Sequence, residues 1–142
     1  MKLRFMLPTD YDNLIGLWNR AKLPYKPQGR DSKENIEKQL KRDDVFFFVI
    51  EDNDRLVASV IVSHNGRKGW INRLAVDPQY RGQGLALQLI EHAEILLKEE
   101  GIGIFACLIE DWNYTSEKLF TSVGYQKHED IIYYTKRIDS SV

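Results

Sequence analysis

Apolar positions recur along this chain at two spacings, one of a helix and one of a strand. A short apolar stretch at residues 3–7 reads as a strand, and beyond Thr9-Asp10 the residues Tyr11, Leu14, Ile15, Trp18 and Ala21 fall on one helical face. Thr9-Asp10 supplies an N-cap there, and Asp12 falls at the capping-box position if Thr9 is the cap. Pro24, Pro27 and Gly29 stop this helix from continuing through residues 20–30. A short second helix is predicted from Ser32, with Ile36 and Leu40 one turn apart. Residues 45–51, 56–63 and 68–76 are rich in β-branched and aromatic side chains, and Asp52-Asn53-Asp54 and Asn65-Gly66 between them are turn signals. Three antiparallel strands follow.

The most regular helical face belongs to Leu85, Ala86, Leu89, Ile90, Ala93, Leu96 and Leu97, which predicts a helix over residues 85–100 that stops at Gly101. The apolar run at 104–109 is then a buried strand, and strand, helix and strand of these lengths make a right-handed parallel crossover. Asn113 opens another helix carrying Leu119, Phe120 and Val123 and ending at Gly124, before a last strand at 131–138 and a tail at 139–142. With no repeat and no linker, residues 1–142 form one domain, a mixed α/β sandwich.

Composition narrows the function classes. The chain has 20 Lys plus Arg against 21 Asp plus Glu, a net charge of −1, so it lacks the clustered cations of a nucleic-acid-binding protein. Its longest fully apolar run, residues 45–50, is far short of the roughly 20 residues a membrane span needs. The single Cys107 lies inside the run at 104–109, where a reduced thiol packs as a small hydrophobe, so a cytoplasmic protein is expected. Three scattered His show no ligand spacing, and no metal site is expected.

The chemistry concentrates between the third of these hairpin strands and the 85–100 helix, in Asp77-Pro78-Gln79-Tyr80-Arg81-Gly82-Gln83-Gly84-Leu85-Ala86. The first amides of a helix have no internal partners, and glycines let a ligand approach the backbone, so such a turn suits a pyrophosphate, with Arg81 adding a charged hydrogen bond. A glycine-bearing turn that binds nothing has the same local sequence. The turn lacks the Lys-Ser/Thr of a nucleoside-triphosphate loop and the third glycine of a dinucleotide fingerprint.

Taken with its surroundings, this stretch resembles the GNAT family of acetyl-CoA-dependent N-acetyltransferases. Gln79-Tyr80-Arg81-Gly82-Gln83-Gly84 fits that family's Q/R-x-x-G-x-G/A pattern, behind Leu74-Ala75-Val76-Asp77-Pro78 in place of L-A-V-x-P. Asn113 to Tyr125 is similar to its N-x-x-A-x-x-L-Y-x-x-x-G-F, and the element order agrees over nearly the whole chain. The resemblance implies a central twisted mixed sheet with helices on both faces and two parallel strands that splay around CoA. It implies that backbone groups of Leu74, Ala75 and Val76 pair with the pantetheine. It further implies that amides of Arg81, Gly82, Gln83, Gly84, Leu85 and Ala86 hold the pyrophosphate, that Asn113 contacts the pantetheine, and that Phe120 lines the cleft. Leu74, Val76 and Phe120 also suit a core, and Asn113 an N-cap.

Phe120 stands where the family often has Tyr, the proposed acid for the leaving thiolate. A thiol of pKa near 8.5 leaves readily enough near neutral pH, whereas presenting an alkyl ammonium of pKa near 10.4 as free amine at pH 7 costs about 4.6 kcal/mol. A base therefore matters more than an acid. Glu110 is the candidate, at the end of the 104–109 strand and on the face of Leu108 by alternation, although a solvated or capping carboxylate is its plainer reading. Asp111 shares that ambiguity. His64 could shuttle protons but ends a hairpin strand, and Tyr133 or Tyr134 could serve as acid or simply pack on the sheet.

The function expected is acetyl transfer from acetyl-CoA to a primary amine by direct attack, by a monomer or homodimer with no nucleic-acid or membrane partner. The competing class is a CoA-binding regulatory module that has lost its chemistry. Arg20, Lys22, Lys26 and Arg30, with no acid between them at residues 20–30, predict an acceptor bearing a carboxylate or phosphate, or else an ordinary solvated loop.

Overall fold

A computed structural model describes all residues, Met1–Val142. Five strands form one sheet in sequence order: β1 (Lys2–Phe5), β2 (Val45–Asp52), β3 (Arg55–His64), β4 (Gly69–Val76) and β5 (Phe105–Ala106). The first four are antiparallel neighbours, and β5 runs parallel to β4 across a crossover through α3 (Leu85–Glu99). Helices α1 (Tyr11–Arg20) and α2 (Lys33–Leu40) precede β2, and α4 (Tyr114–Ser122) follows β5. The pattern predicted a mixed α/β sandwich, and this is the mixed sheet with helices on both faces that the resemblance implied. None of the helices is long and apolar enough to cross a membrane.

Two buried clusters explain why β2 reads as an unbroken apolar run. Phe47 and Val49 pack with Leu14, Leu17, Trp18 and Ile36 of α1 and α2. Phe48 and Ile50 pack on the opposite face with Leu89, Ile90, Ala93 and Leu97 of α3. A strand covered on both faces has no polar side to alternate with. The β2–β3 turn uses Asn53 and Asp54 at φ 51° and 64°, the left-handed pair that matches the twist of a tight hairpin.

Helix starts follow the predicted caps at two of three places. Ser32 Oγ accepts from Asn35 N at 3.2 Å, and Asn113 Oδ1 accepts from Ser116 N at 3.2 Å. At α1 a 3₁₀ turn, Pro8–Asp10, comes first, and Asp10 rather than Thr9 is the polar anchor: its carboxylate accepts from Leu7 N at 2.8 Å and from Arg4 at 2.7 and 3.0 Å.

The C-terminal third departs from expectation. The predicted strand at 104–109 shrinks to two residues, with Ile104 and Leu108 exposed and Cys107 only half-buried. The predicted strand at 131–138 does not form, and Ile131, Ile132, Tyr133, Tyr134 and Ile138 are exposed. A strand pattern needs a neighbouring edge to pair with, and an edge of two residues is too short to template another strand.

Candidate active site

The pairing of β4 with β5 is confined to Gly69↔Phe105 and Trp70↔Ala106. At this zipped end α3 packs hard on the sheet, where a Cβ on Gly69 would lie 2.6 Å from Leu97 Cδ1. From Ile71 to Val76 no strand lies on the β5 side of β4, while Ala75 and Val76 stay paired to Ser59 and Ala58 of β3 on the other. Leu74 and Val76 pack partly into the α3 cluster and Ala75 into the α1 cluster. Their side chains are core and their backbone is a strand edge.

The chain beyond β4 is anchored by Asp77. Its amide bonds Val57 O at 2.8 Å, and its buried carboxylate takes Gln79 N at 2.9 Å, Arg20 Nε at 2.7 Å and Arg55 Nη2 at 3.0 Å. Burial alone would raise this carboxyl, but the Gln79 amide and the two guanidinium groups overcome it and hold the pKa below the ordinary value. Tyr80 completes the turn, its amide on Asp77 O and its hydroxyl donating to Asp52 Oδ2 at 2.8 Å.

Four residues on, the bonding stops. Arg81, Gly82, Gln83 and Gly84 are exposed, Gly82 and Gly84 sit at φ 80° and 77°, and no side chain caps α3. The first helical bond is Gln88 N to Gly84 O at 3.0 Å, which leaves the amides of Leu85, Ala86 and Leu87 at the open N-terminus of a fifteen-residue helix. Leu85 itself is buried and fixes the helix start. A Cβ at Gly82 or Gly84 would meet nothing within 4 Å, so backbone conformation rather than packing requires glycine, and the turn presents bare main chain.

The sequence matches the acetyltransferase (GNAT) family over residues 11–125. The chain belongs to that family. It is an acetyl-CoA-dependent N-acetyltransferase by enzyme class, and the sequence resemblance is borne out. An acetyltransferase of Sodalis glossinidius is 28% identical over 138 residues, 97% of this chain and 96% of that one. One of Photorhabdus laumondii is 27% identical over 139 residues, with the same coverage. The fold is similar to that of the aminoglycoside acetyltransferase AAC(6')-Iy solved with a CoA-containing bisubstrate analogue (TM-score 0.80, 23% identity, covering 96% of this chain and 97% of that one). It is also similar to the 6'-N-acetyltransferase AAC(6')-IG of Acinetobacter haemolyticus (TM-score 0.79, 21% identity, covering 98% and 100%).

Within this acetyltransferase, the other residues singled out from sequence scatter. Glu110 is exposed and lies outside any strand, so the alternation argument for its facing does not hold; only its carbonyl is engaged, by Asn113 N at 2.9 Å, and its carboxylate is unpaired. Asp111 is exposed beside it. Phe120 is 4% exposed and packs edge-to-face on Tyr125, with centroids 5.0 Å apart. The Tyr125 hydroxyl beside it, missed in the sequence, donates to Glu94 Oε2 at 2.8 Å, and burial followed by that bond pushes its phenol well above the ordinary value. Burial pushes the Cys107 thiol up to about 11, which makes it a poor nucleophile. His64 pairs with Gly69 at the zipped end, its Nδ1 accepting from Gly66 N at 3.1 Å and its Nε2 on Glu100 Oε1 at 3.3 Å. Tyr133 and Tyr134 belong to no sheet. Of the loop cations, Arg20 is neutralised by Asp77 and Lys26 Nζ bonds Ser140 O at 3.2 Å. The Asp77 network was signalled only by Asp-Pro after a strand, a turn former whose two arginine partners lie far off in sequence.

Proposed function

We propose that this acetyltransferase moves the acetyl group of acetyl-CoA to a primary amine by direct attack. One observation carries the reading: where β4 and β5 part, the unpaired β4 edge leads into the uncapped α3 N-terminus. Ligands of open α/β sheets sit at the carboxyl ends of parallel strands. Leu74, Ala75 and Val76 would offer main-chain partners to the pantetheine, as another strand would. Arg81, Gly82, Gln83, Gly84, Leu85 and Ala86 would hold the pyrophosphate through their amides, with the Arg81 guanidinium adding charge. Asn113 keeps Oδ1 on Ser116 N and has its amide nitrogen left to donate. Phe120 bounds the cleft as a core residue.

Acetyl-CoA supplies an activated thioester. Glu110 is the base that takes the acceptor's proton, directly or through water, against the cost of about 4.6 kcal/mol for an ordinary ammonium at pH 7. Its lack of any side-chain partner supports this, because nothing in the fold consumes its charge. Of the other loop cations, Lys22 has no ion-pair partner, Lys26 bonds only the neutral Ser140 carbonyl, and Arg30 lies 3.9 Å from Asp31 Oδ2; the positive charge they leave favours an acceptor with a carboxylate or phosphate over a polyamine. A half-buried, unpaired Cys107 fits a reducing, cytoplasmic setting.

A thermal-shift screen followed by free-thiol release from acetyl-CoA tests the reading, with Gly-Glu dipeptide, spermidine and neamine as acceptors. Turnover is expected, with Gly-Glu ahead of the two polycations. Stabilisation by acetyl-CoA with no turnover on any amine would favour the regulatory module, which the absence of a hydroxyl at Phe120 supports. A large preference for spermidine or neamine contradicts the anionic acceptor.

A further inference from the structure

Midway along β4 the register with β3 slips, so that Val60 stands opposite two residues, Arg73 and Leu74. In bulges of this kind the first residue commonly adopts the left-handed conformation and is glycine. Here it is Arg73, at φ 57°, the only non-glycine residue with positive φ inside a strand. A long side chain held in that region costs free energy that glycine would avoid, which points from the strain to a task for the side chain.

That task is visible in its contacts. The Arg73 guanidinium lies over the ring of buried Trp18, 4.6 Å from its centroid, donates to Pro24 O at 2.5 Å and pairs with Asp31 Oδ2 at 2.5 Å. Asp31 is itself buried and takes Lys26 N on the same oxygen at 2.8 Å, while its carbonyl accepts from the Tyr11 hydroxyl at 2.8 Å. Trp18 Nε1 in turn donates to Ser59 Oγ on β3 at 3.2 Å. One side chain thus ties both ends of the Pro- and Gly-bearing segment between α1 and α2 to the strand position just before Leu74.

We infer that Arg73 is a positioning residue that, through Asp31, locks the α1–α2 segment to the β4 bulge so that the two move as one unit. The inference rests on the proposed function, because the edge that begins at Leu74 is the one assigned to the pantetheine and its thioester. Position matters for such a site to within a fraction of an ångström, and a strained bulge keeps its geometry only while its surroundings enforce it.

The test compares Arg73→Gly, which keeps the left-handed backbone without strain, Asp31→Asn, and the double variant. Hydrogen exchange is expected to speed up at least about tenfold at residues 21–32 and also at Leu74, Ala75 and Val76 in either single variant, with α3 unchanged and the double variant no worse than the singles. With Gly-Glu and acetyl-CoA, kcat should fall at least about tenfold while KM for acetyl-CoA holds within about threefold, and Arg73→Lys should recover part of the rate. Faster exchange confined to residues 21–32, additive effects, or an equal rise in KM for acetyl-CoA would overturn the clamp. A parent that transfers acetyl to no amine defeats the catalytic reading alone, since the exchange measurements still decide whether the two segments are coupled.

Discussion

Two carboxylates follow the two parallel strands, and their surroundings are opposite. Asp77, after β4, is 1% exposed and spends its oxygens on an amide and two guanidinium groups. Glu110, beyond β5, is exposed and its carboxylate bonds nothing. The same contrast separates residues 77–80, whose turn is fully knit by Asp77, from the bare turn at Arg81–Gly84 that starts α3. Groups whose bonding capacity is consumed inside the fold hold the site in place. Groups left unconsumed at the same end of the sheet are the ones with capacity for substrate.

Neutralising each carboxylate in turn separates the two roles. Glu110→Gln is expected to lower turnover by about 10²-fold or more, with CoA affinity and melting temperature nearly unchanged, as steady-state rates and calorimetry would record. Full activity in this variant would remove Glu110 from the chemistry. Asp77→Asn should act first on the fold, costing about 2 kcal/mol because its two arginine partners lose their counter-ion while keeping some water, or roughly 6 °C in melting temperature. Asp77 is held below its ordinary pKa, so its contribution is complete above pH about 4 and fades as pH falls through the folded value. The melting-temperature gap between parent and Asp77→Asn should therefore be constant from neutral to mildly acid pH and close below it. A gap that widens on acidification contradicts the assignment.

Phe120→Tyr carries the smallest expected effect, less than about threefold in rate. The thiol leaves readily near its own pKa, and the new hydroxyl would enter a packed site against Tyr125. An inert parent that gains activity with Phe120→Tyr would overturn the mechanism and favour the regulatory module.

The elements legible in the sequence were those whose partners are long and local. The β2, β3 and β4 hairpins carry β-branched and aromatic residues between clear turn signals, and α3 a full apolar face, so their pattern sufficed. The glycine turn was legible because left-handed backbone at Gly82 and Gly84 leaves a mark on residue type. Residues 131–138 carry a strand pattern without an edge to join, and pattern records capacity rather than pairing. The facing of Glu110 was misread for the same reason, because alternation applies only inside a strand and β5 ends at Ala106. The Asp77 and Arg73 networks join α1, its following segment, β3 and β4, and separations such as Arg20 to Asp77 leave no local signature.

If the bare turn before α3 receives the pyrophosphate of CoA, as proposed above, a side chain added there must weaken CoA binding, and calorimetric titration of CoA into Gly84→Val beside the parent measures this. A Cβ at residue 84 meets no protein atom within 4 Å, so a branched side chain at φ 77° is strained by its backbone conformation rather than by packing, and it stands at the uncapped start of α3. A folded variant whose CoA affinity falls at least about tenfold, or about 1.4 kcal/mol, is expected. An affinity equal to the parent's in a folded Gly84→Val protein would contradict it.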